Sequence, residues 1–164
     1  MSLITPAPLD ARLILSDEAL DGALELSLLA EAALWMAADA GLEGEPARLG
    51  RGHFRAAFLM KRHPGLGAQD LSRMTGLSKQ GASKVLKELT DAGYAATRED
   101  DADARRKPLA LTAAGLAFEA RVSQKLRAAL AKAYRTSGLD KAAAARAVWS
   151  ALAGPGLRDT GRRP

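Results

Sequence analysis

The sequence predicts a mainly α-helical domain that carries one small β-hairpin. Of its 164 residues, 48% are hydrophobic and only 4% aromatic, and alanine and leucine dominate, which favours helices over a β-sandwich or barrel. Capping and stop residues divide most of the chain into helical stretches, whereas residues 94–112 show the pattern of a strand pair. The length suits one domain, with or without helical extensions, and allows a substantial core.

The charge is unevenly divided along the chain. The net charge is +5, but residues 1–45 carry one basic and nine acidic side chains, whereas residues 46–164 carry 23 basic and 10 acidic ones. A basic body suits a polyanion, and nucleic acid is the commonest polyanion in the cytoplasm. A soluble protein that simply uses arginine freely is an equally good interpretation of the charge.

Several kinds of site are not expected. The chain has no cysteine, which excludes disulfides, thiolate zinc sites and thiol-based redox sensing. His53 and His63 have no carboxylate at ligand spacing, so we predict no metal and no cofactor. No run of about 18 apolar residues occurs, and the first residues lack the features of a secretion signal, so we expect a cytoplasmic protein without membrane contact.

The first helix is predicted over residues 17–40. Residues 1–16 contain two prolines and no clear period, which is typical of an arm. Ser16 then caps the helix, two acidic residues suit its positive end, and Gly41 is its expected stop. Apolar residues cover much of the helix circumference, so we expect burial on two sides, against its own core and a second subunit. A central helix of a monomer is the alternative.

Three further helices are predicted from caps and stops. One runs from about residue 49 to residue 62 and ends before a proline. A long helix capped by Thr112 covers residues 113–136. The last helix, capped by Asp140, runs to about residue 152 and ends at Gly154.

The middle of the chain contains a helix-turn-helix. A short helix is predicted from Ala68 to Thr75, Gly76 supplies a tight turn, and Ser78 caps a second helix over residues 78–89. The inward stripe of the second helix, at i, i+3, i+4 and i+7, consists of Ala82, Val85, Leu86 and Leu89. Two short helices joined by a glycine-containing turn form this motif.

A wing follows the helix-turn-helix. Gly93 ends the second helix, and the sequence YAATREDDADARRKPLALT comes next. It has a short apolar run, a charged tip and a second apolar run, which together predict a β-hairpin.

Residues 64–115 resemble the winged helix-turn-helix of the MarR family of bacterial transcription regulators. The Asp-x-Arg wing signature of that family falls on Asp103 and Arg105, and its Leu-Thr-x-x-Gly begins at Leu111, six residues after the arginine. The flanking predicted helices agree in order and length with the dimerisation and scaffold helices of the family. The fold class that we predict is therefore a winged helix-turn-helix flanked by N- and C-terminal dimerisation helices.

The chain departs from the family pattern in four places. Gly67 stands where a serine or threonine cap is usual, and Thr97 stands where a basic residue is common. Pro108 removes a backbone donor from the returning wing strand, which indicates an edge position or a bulge. The wing tip is acidic through Glu99, Asp100, Asp101 and Asp103. This acidity counts against a strong phosphate contact by the tip, though not against the fold.

The resemblance also implies how the functional parts are arranged along the chain. The predicted parts are an arm (1–16), dimerisation and scaffold helices (17–62), a winged helix-turn-helix (63–112), C-terminal dimerisation helices (113–153) and a basic tail (154–164). It implies a homodimer on a palindromic double-stranded DNA operator, and a small aromatic or anionic effector between the dimer helices and the DNA-binding lobe. The side chains that could meet a carboxylate there are Arg48, Arg51, His53 and Arg55, although their spacing does not require it.

The second helix of a helix-turn-helix lies in the major groove. Its predicted DNA contacts are Ser78, Lys79, Gln80, Ser83, Lys84 and Lys87. Lys79 and Lys84 can reach guanine acceptors or phosphates, and Gln80 can pair with adenine. Gly81 costs this helix roughly 0.5–1 kcal/mol relative to alanine. Either it lets the backbone approach DNA closely, or a well-packed helix merely tolerates it.

The wing contacts are predicted on a second set of residues: Arg98, Asp103, Arg105, Arg106 and Lys107. Arg105 would enter the neighbouring minor groove, where a narrow A·T-rich stretch concentrates negative potential. Asp103 would hold the guanidinium of Arg105 in place by a bidentate pair. A solvated turn without function is the alternative for residues 103–107.

Two other functions compete with a DNA-binding regulator. A winged-helix module that binds proteins and has lost or weakened DNA binding is the first, and the acidic wing tip supports it. An enzyme that uses the wing carboxylates is the second. Consecutive carboxylates on a flexible tip do not converge on one ion, and no nucleophile–base pair is evident, so we predict no enzyme.

Overall fold

The structure, a computed structural model, describes residues 10–45, 49–97 and 109–158. Its helices are α1 (Ala11–Ile14), α2 (Asp17–Leu42), α3 (Arg51–Arg62), α4 (Ala68–Thr75), α5 (Lys79–Asp91), α6 (Ala113–Ser137) and α7 (Asp140–Arg158). Its strands, β1 (Ala95–Thr97) and β2 (Leu109–Leu111), pair antiparallel between α5 and α6. The predicted fold class, mainly helical with a small hairpin, is confirmed.

Three of the predicted caps form as expected. The side-chain oxygens of Ser16, Ser78 and Thr112 each accept a hydrogen bond from the backbone N–H three residues later, at 3.3, 3.0 and 3.1 Å. Such caps satisfy donors that have no partner inside the helix. They explain why the starts of α2, α5 and α6 fall where the sequence predicted them.

Gly41 does not end the first helix, and that prediction is wrong. The helix continues to Leu42, and Gly41 is buried within it. A Cβ atom at this position would lie 2.8 Å from the Cα of Val122 on α6. Glycine is needed there because the backbones of α2 and α6 approach each other closely. In the sequence alone, a glycine required by such a crossing has the same appearance as a glycine that ends a helix.

Smaller differences occur at the two ends of the chain. The arm contains one helical turn, α1, whose cap Asp10 accepts from the backbone N–H of Arg12 at 2.9 Å. Asp140 is the first residue of α7 rather than its cap. Gly154, at φ +61°, breaks the helical geometry as expected, but the chain forms a further turn that ends at Arg158.

The hydrophobic core lies where α3, α4, α5 and α6 meet the base of the hairpin. Its fully buried side chains include Leu71 of α4, Leu89 of α5 and Phe118 and Val122 of α6. Phe118 stacks on Tyr94, with 5.2 Å between ring centroids. This core therefore fixes α5 and the start of the hairpin to the long helix α6. Within the described ranges, no helix is long and apolar enough to span a bilayer.

Candidate nucleic-acid interface

The turn between α4 and α5 is held by side-chain hydrogen bonds. Gly76 adopts φ +73°, a left-handed geometry that favours glycine. The hydroxyl of Ser72 donates to the carbonyl of Leu77 at 2.6 Å, and the hydroxyl of Thr75 donates to the carbonyl of Leu71 at 2.6 Å. The bond from Ser72 crosses the turn and ties α4 to the residue before the Ser78 cap, whereas the bond from Thr75 closes the last turn of α4.

Helix α5 has one buried face and one exposed polar face. Ala82, Leu86 and Leu89 are buried, and Val85 is half-buried, as the stripe predicted. The exposed face carries all six residues that the sequence assigned to it: Ser78, Lys79, Gln80, Ser83, Lys84 and Lys87. Three cations and three short or amide side chains thus share one surface of a single helix.

The side chains on this exposed face differ in how they are partnered. Lys87 pairs with Asp91 one turn later, at 2.7 Å. The side chains of Lys79, Gln80 and Lys84 have no hydrogen bond or ion pair with the part of the chain that the structure describes. These three are therefore free to meet an external group.

Gly81 lies close to the side chain that caps α5. A Cβ atom at Gly81 would lie 3.2 Å from the Ser78 hydroxyl, which caps α5 by accepting from the Gly81 N–H. This distance is tighter than normal van der Waals contact, so a larger residue would press on the cap. Whether the glycine also lets DNA approach remains a prediction.

The base of the wing is tied to both flanking helices. β1 and β2 pair Ala95 with Leu111 and Thr97 with Leu109. Thr112 follows β2, and its backbone N–H and its hydroxyl donate to the carbonyls of Tyr94 at 3.1 Å and Gly93 at 2.7 Å. The predicted wing contacts Arg98, Asp103, Arg105, Arg106 and Lys107 all lie outside the described residues.

A partly buried polar cluster that the sequence did not predict supports this base. The hydroxyl of Tyr94 donates to Glu45 at 2.5 Å, and Arg121 of α6 forms an ion pair with the same carboxylate. Arg121 also donates to the carbonyl of Gly41 at 3.2 Å. The cluster joins the end of α2, the start of the wing and α6, three segments whose proximity no local pattern encodes.

The residues predicted to meet an effector separate into two groups. Arg51 and Arg55 are on the surface between α2 and α3, and their guanidinium carbons lie 5.8 and 4.4 Å from the ring centroid of Trp35. Arg55 pairs with Glu31 at 3.2 Å. His53 is buried and faces α5 instead, and Arg48 lies outside the described residues.

Arg51 forms a bidentate pair with Asp39, with nitrogen–oxygen distances of 3.0 and 2.5 Å. The hydrogen bonds from Arg51 lower the pKa of the Asp39 carboxyl, and Asp39 raises the pKa of Arg51. Both groups therefore stay charged at neutral pH. An anion that binds here must compete with an existing carboxylate partner.

Large apolar side chains remain exposed on the outer helices. Leu13, Leu24, Leu26, Met36, Val148 and Leu152 are each more than half exposed, and they belong to α1, α2 and α7. A cavity of about 360 Å³ with mostly apolar walls opens among α2, α6 and α7, lined in part by Leu34, Leu130 and Trp149. Ala133 of α6 is exposed and also lines this cavity. Single copies seldom expose so much apolar surface without a partner.

Groups of three or more metal-binding side chains are absent from the described segments.

Comparisons with known proteins agree on one family. Residues 49–106 match the sequence model described as the MarR family. The HTH-type transcriptional regulator PetP of Rhodobacter capsulatus is 33% identical over 124 residues, which cover 72% of this chain and 75% of that protein. A MarR family protein of Mycobacterium tuberculosis, solved in complex with DNA, is 25% identical at a TM-score of 0.58, over 79% of this chain and 96% of that one. The same protein in complex with salicylic acid is 27% identical at a TM-score of 0.59, over 77% and 93% of the two chains.

Proposed function

Because this chain belongs to the MarR family and is a transcription regulator, we propose that it binds a palindromic double-stranded DNA site as a homodimer. The exposed face of α5 enters the major groove, and the wing reaches the adjacent minor groove. The observation that carries this proposal is the polar face of α5, on which Lys79, Gln80 and Lys84 lack partners among the described residues. The DNA complex of the mycobacterial relative supports it.

The side chains on α5 have separate roles in this proposal. Gln80 reads a base, because its amide can donate to and accept from an adenine edge at once. Lys79 and Lys84 reach guanine acceptors or phosphates, and Ser83 is short enough to lie close to the DNA. Lys87, which already pairs with Asp91, contributes mainly to the positive potential of the face.

The wing contributes contacts of a different kind. Arg105 inserts into the minor groove, held by Asp103, while Arg98, Arg106 and Lys107 contact the backbone. Support comes from the base of the hairpin, where Thr112 donates hydrogen bonds to the carbonyls of Gly93 and Tyr94, just after α5. These bonds hold the base of the wing close to the end of α5.

The dimer is supported by the exposed apolar side chains of α1, α2 and α7. Full burial of one leucine stabilises an association by about 1.5–3 kcal/mol, so the outer helices favour a second copy of the chain. A symmetric pair would place two α5 helices about 34–36 Å apart, one turn of DNA. That spacing is the reason to expect a palindrome.

We also propose that a small aromatic or anionic compound adjusts DNA binding. The crystallised relative with bound salicylic acid supports this class of effector. The surface formed by Trp35, Arg51 and Arg55 offers an aromatic face and two guanidinium groups. An acid would replace Asp39 or Glu31 as the partner of an arginine, and in doing so would loosen α3 from α2. Arg48 belongs to the same proposal.

Variants of Gln80 and Arg105 should affect DNA binding in different ways. Gln80→Ala should change which sites are preferred, lowering discrimination at one base pair by about 1–3 kcal/mol. Arg105→Ala should weaken binding to all sites, because a minor-groove arginine acts mainly through charge. The measurement is the affinity for a panel of duplexes that differ at single positions, starting from the DNA upstream of the protein's own gene.

Gln124→Ala on α6 is the matched control, since Gln124 is exposed and lies outside the proposed interface. It should leave unchanged both the order in which the duplexes are preferred and the affinity for each of them. An unchanged ranking in Gln80→Ala would refute the base-reading role. If the wild-type protein showed no affinity for any duplex, the protein-interaction module would become the better account.

A further inference from the structure

A buried histidine connects the loop before α3 to α5, the recognition helix that we propose to enter the major groove. His53 is 7% exposed. Its Nδ1 accepts a hydrogen bond from the backbone N–H of Gly50 at 3.0 Å, and its Nε2 lies 2.9 Å from a carboxylate oxygen of Glu88 on α5. The ring therefore connects the loop before α3 to Glu88, which is 35 residues from His53 in the sequence.

The two contacts determine which nitrogen of the neutral ring carries the hydrogen. The Gly50 N–H can only donate, so Nδ1 must be the acceptor and carries no hydrogen. Nε2 then carries the hydrogen and donates it to Glu88. Because both ring nitrogens are in use, the ring cannot rotate without breaking a bond to a buried or half-buried group.

Glu88 occupies a position on α5 from which it can control the DNA-binding face. It lies one turn after Lys84 on the same side of α5, where it is half-buried and its carboxylate contacts His53 of α3. The other contacts between α5 and the core, through Ala82, Leu86 and Leu89, are apolar. The bond between His53 and Glu88 adds a directional contact to this apolar packing, because a hydrogen bond weakens steeply when its angle is disturbed.

We propose that His53 is a positioning residue for DNA binding: by holding Glu88 it fixes the rotation of α5, and so the direction in which Gln80 and Lys84 project. This inference rests on the proposed function. The anchor of the ring, Gly50, is adjacent to Arg51 and its pair with Asp39. The same ring therefore connects the α2–α3 surface to the recognition helix.

Substitutions on both sides of the contact test this role. His53→Phe retains the ring shape but loses both hydrogen bonds. Glu88→Leu and Glu88→Gln remove the same negative charge, but only the glutamine can still accept from Nε2. We expect His53→Phe and Glu88→Leu each to weaken binding to the preferred duplex by about tenfold relative to a random duplex, because fewer molecules hold α5 in the competent orientation. Glu88→Gln should retain the wild-type preference, since it restores the acceptor.

Val122→Ala is the control for lost stability, because Val122 is buried in α6 where that helix crosses α2 at Gly41. It should lower the denaturation midpoint and leave the preference for the duplex unchanged. The double variant His53→Phe/Glu88→Leu should be no weaker than either single variant, since both break one interaction.

Three outcomes would overturn the inference. A His53→Phe protein that prefers its duplex as strongly as wild type would do so, and so would equal affinities for Glu88→Leu and Glu88→Gln. A wild-type protein that fails to distinguish its duplex from random DNA would overturn the proposed function, and this inference with it. The wild-type measurement therefore shows which of the two has failed.

Discussion

Replacing Gly115 with alanine should destabilise the protein by about 3 kcal/mol or more, the largest effect that we expect from adding a methyl group. A Cβ atom at Gly115 would lie 1.9 Å from the carbonyl oxygen of Tyr94 and 2.9 Å from its carbonyl carbon. Both are backbone atoms, and the oxygen is already held by the Thr112 N–H. The steric clash can therefore be relieved only if α6 moves away from the base of the wing. Chemical denaturation measures the loss.

Gly22→Ala is the matched control for this change. Gly22 lies within α2, and among the described residues no atom lies within 4 Å of the position that an added methyl group would take. Alanine there should stabilise the helix by roughly 0.5–1 kcal/mol. If Gly115→Ala unfolded at the wild-type denaturant concentration, the close packing of α6 on the start of the wing would be refuted.

The second large effect concerns Glu119, whose carboxylate is fully buried between α3 and α6. Lys61 donates to it, the Ser123 hydroxyl donates at 2.5 Å, and Arg62 lies 3.7 Å away. Burial is the strongest single influence and raises the pKa of Glu119, but the hydrogen bonds and charges of these partners outweigh it. The net effect lowers the pKa below its ordinary value.

The lowered pKa of Glu119 determines how this residue makes stability depend on pH. The folded protein holds its Glu119 proton less tightly than the unfolded chain does, so the stabilisation is complete above the unfolded pKa. It is lost as the pH falls through the folded pKa. The denaturant concentration at the midpoint of unfolding should therefore decrease as the pH is lowered through the acidic range.

Lys61→Met should raise the pKa of Glu119 relative to wild type, because it removes a hydrogen bond and a positive charge that lower this pKa while burial remains. The stability lost on acidification should therefore be smaller in the variant than in wild type. At neutral pH the variant should lose roughly 3 kcal/mol, because it leaves a buried charge with incomplete compensation. Lys132→Met, at an exposed position on α6, is the control and should change stability by less than about 0.5 kcal/mol. A pH profile identical to wild type in Lys61→Met would contradict the account.

Local signals predicted much of the fold. Caps at Ser16, Ser78 and Thr112 and the apolar stripe of α5 are encoded within one or two helical turns, which is why they could be found in the sequence. Gly41 shows the limit of that approach. A helix stop and a close helix crossing both require glycine, and only the position of Val122, far along the chain on α6, distinguishes them.

In the candidate site, too, local sequence patterns predicted which residues are exposed but not which distant residues are in contact. Helical periodicity places positions 79, 80, 83, 84 and 87 away from the buried stripe, and all five are exposed, whereas their contacts with DNA remain predictions. The partners of His53 and Tyr94 are 35 and 49 residues away in the sequence, and no periodic pattern reports such pairs. His53 was consequently grouped with the surface arginines, although its ring faces the recognition helix.

The central claim is that the exposed face of α5, together with the wing, binds DNA through its cations. The most direct measurement is the affinity of wild type and Lys84→Ala for the upstream duplex between about 50 and 200 mM salt. We predict a straight, steeply negative slope of log affinity against log salt, shallower by about 1 for Lys84→Ala. A wild-type slope near zero, or an identical slope for the two proteins, would contradict the claim.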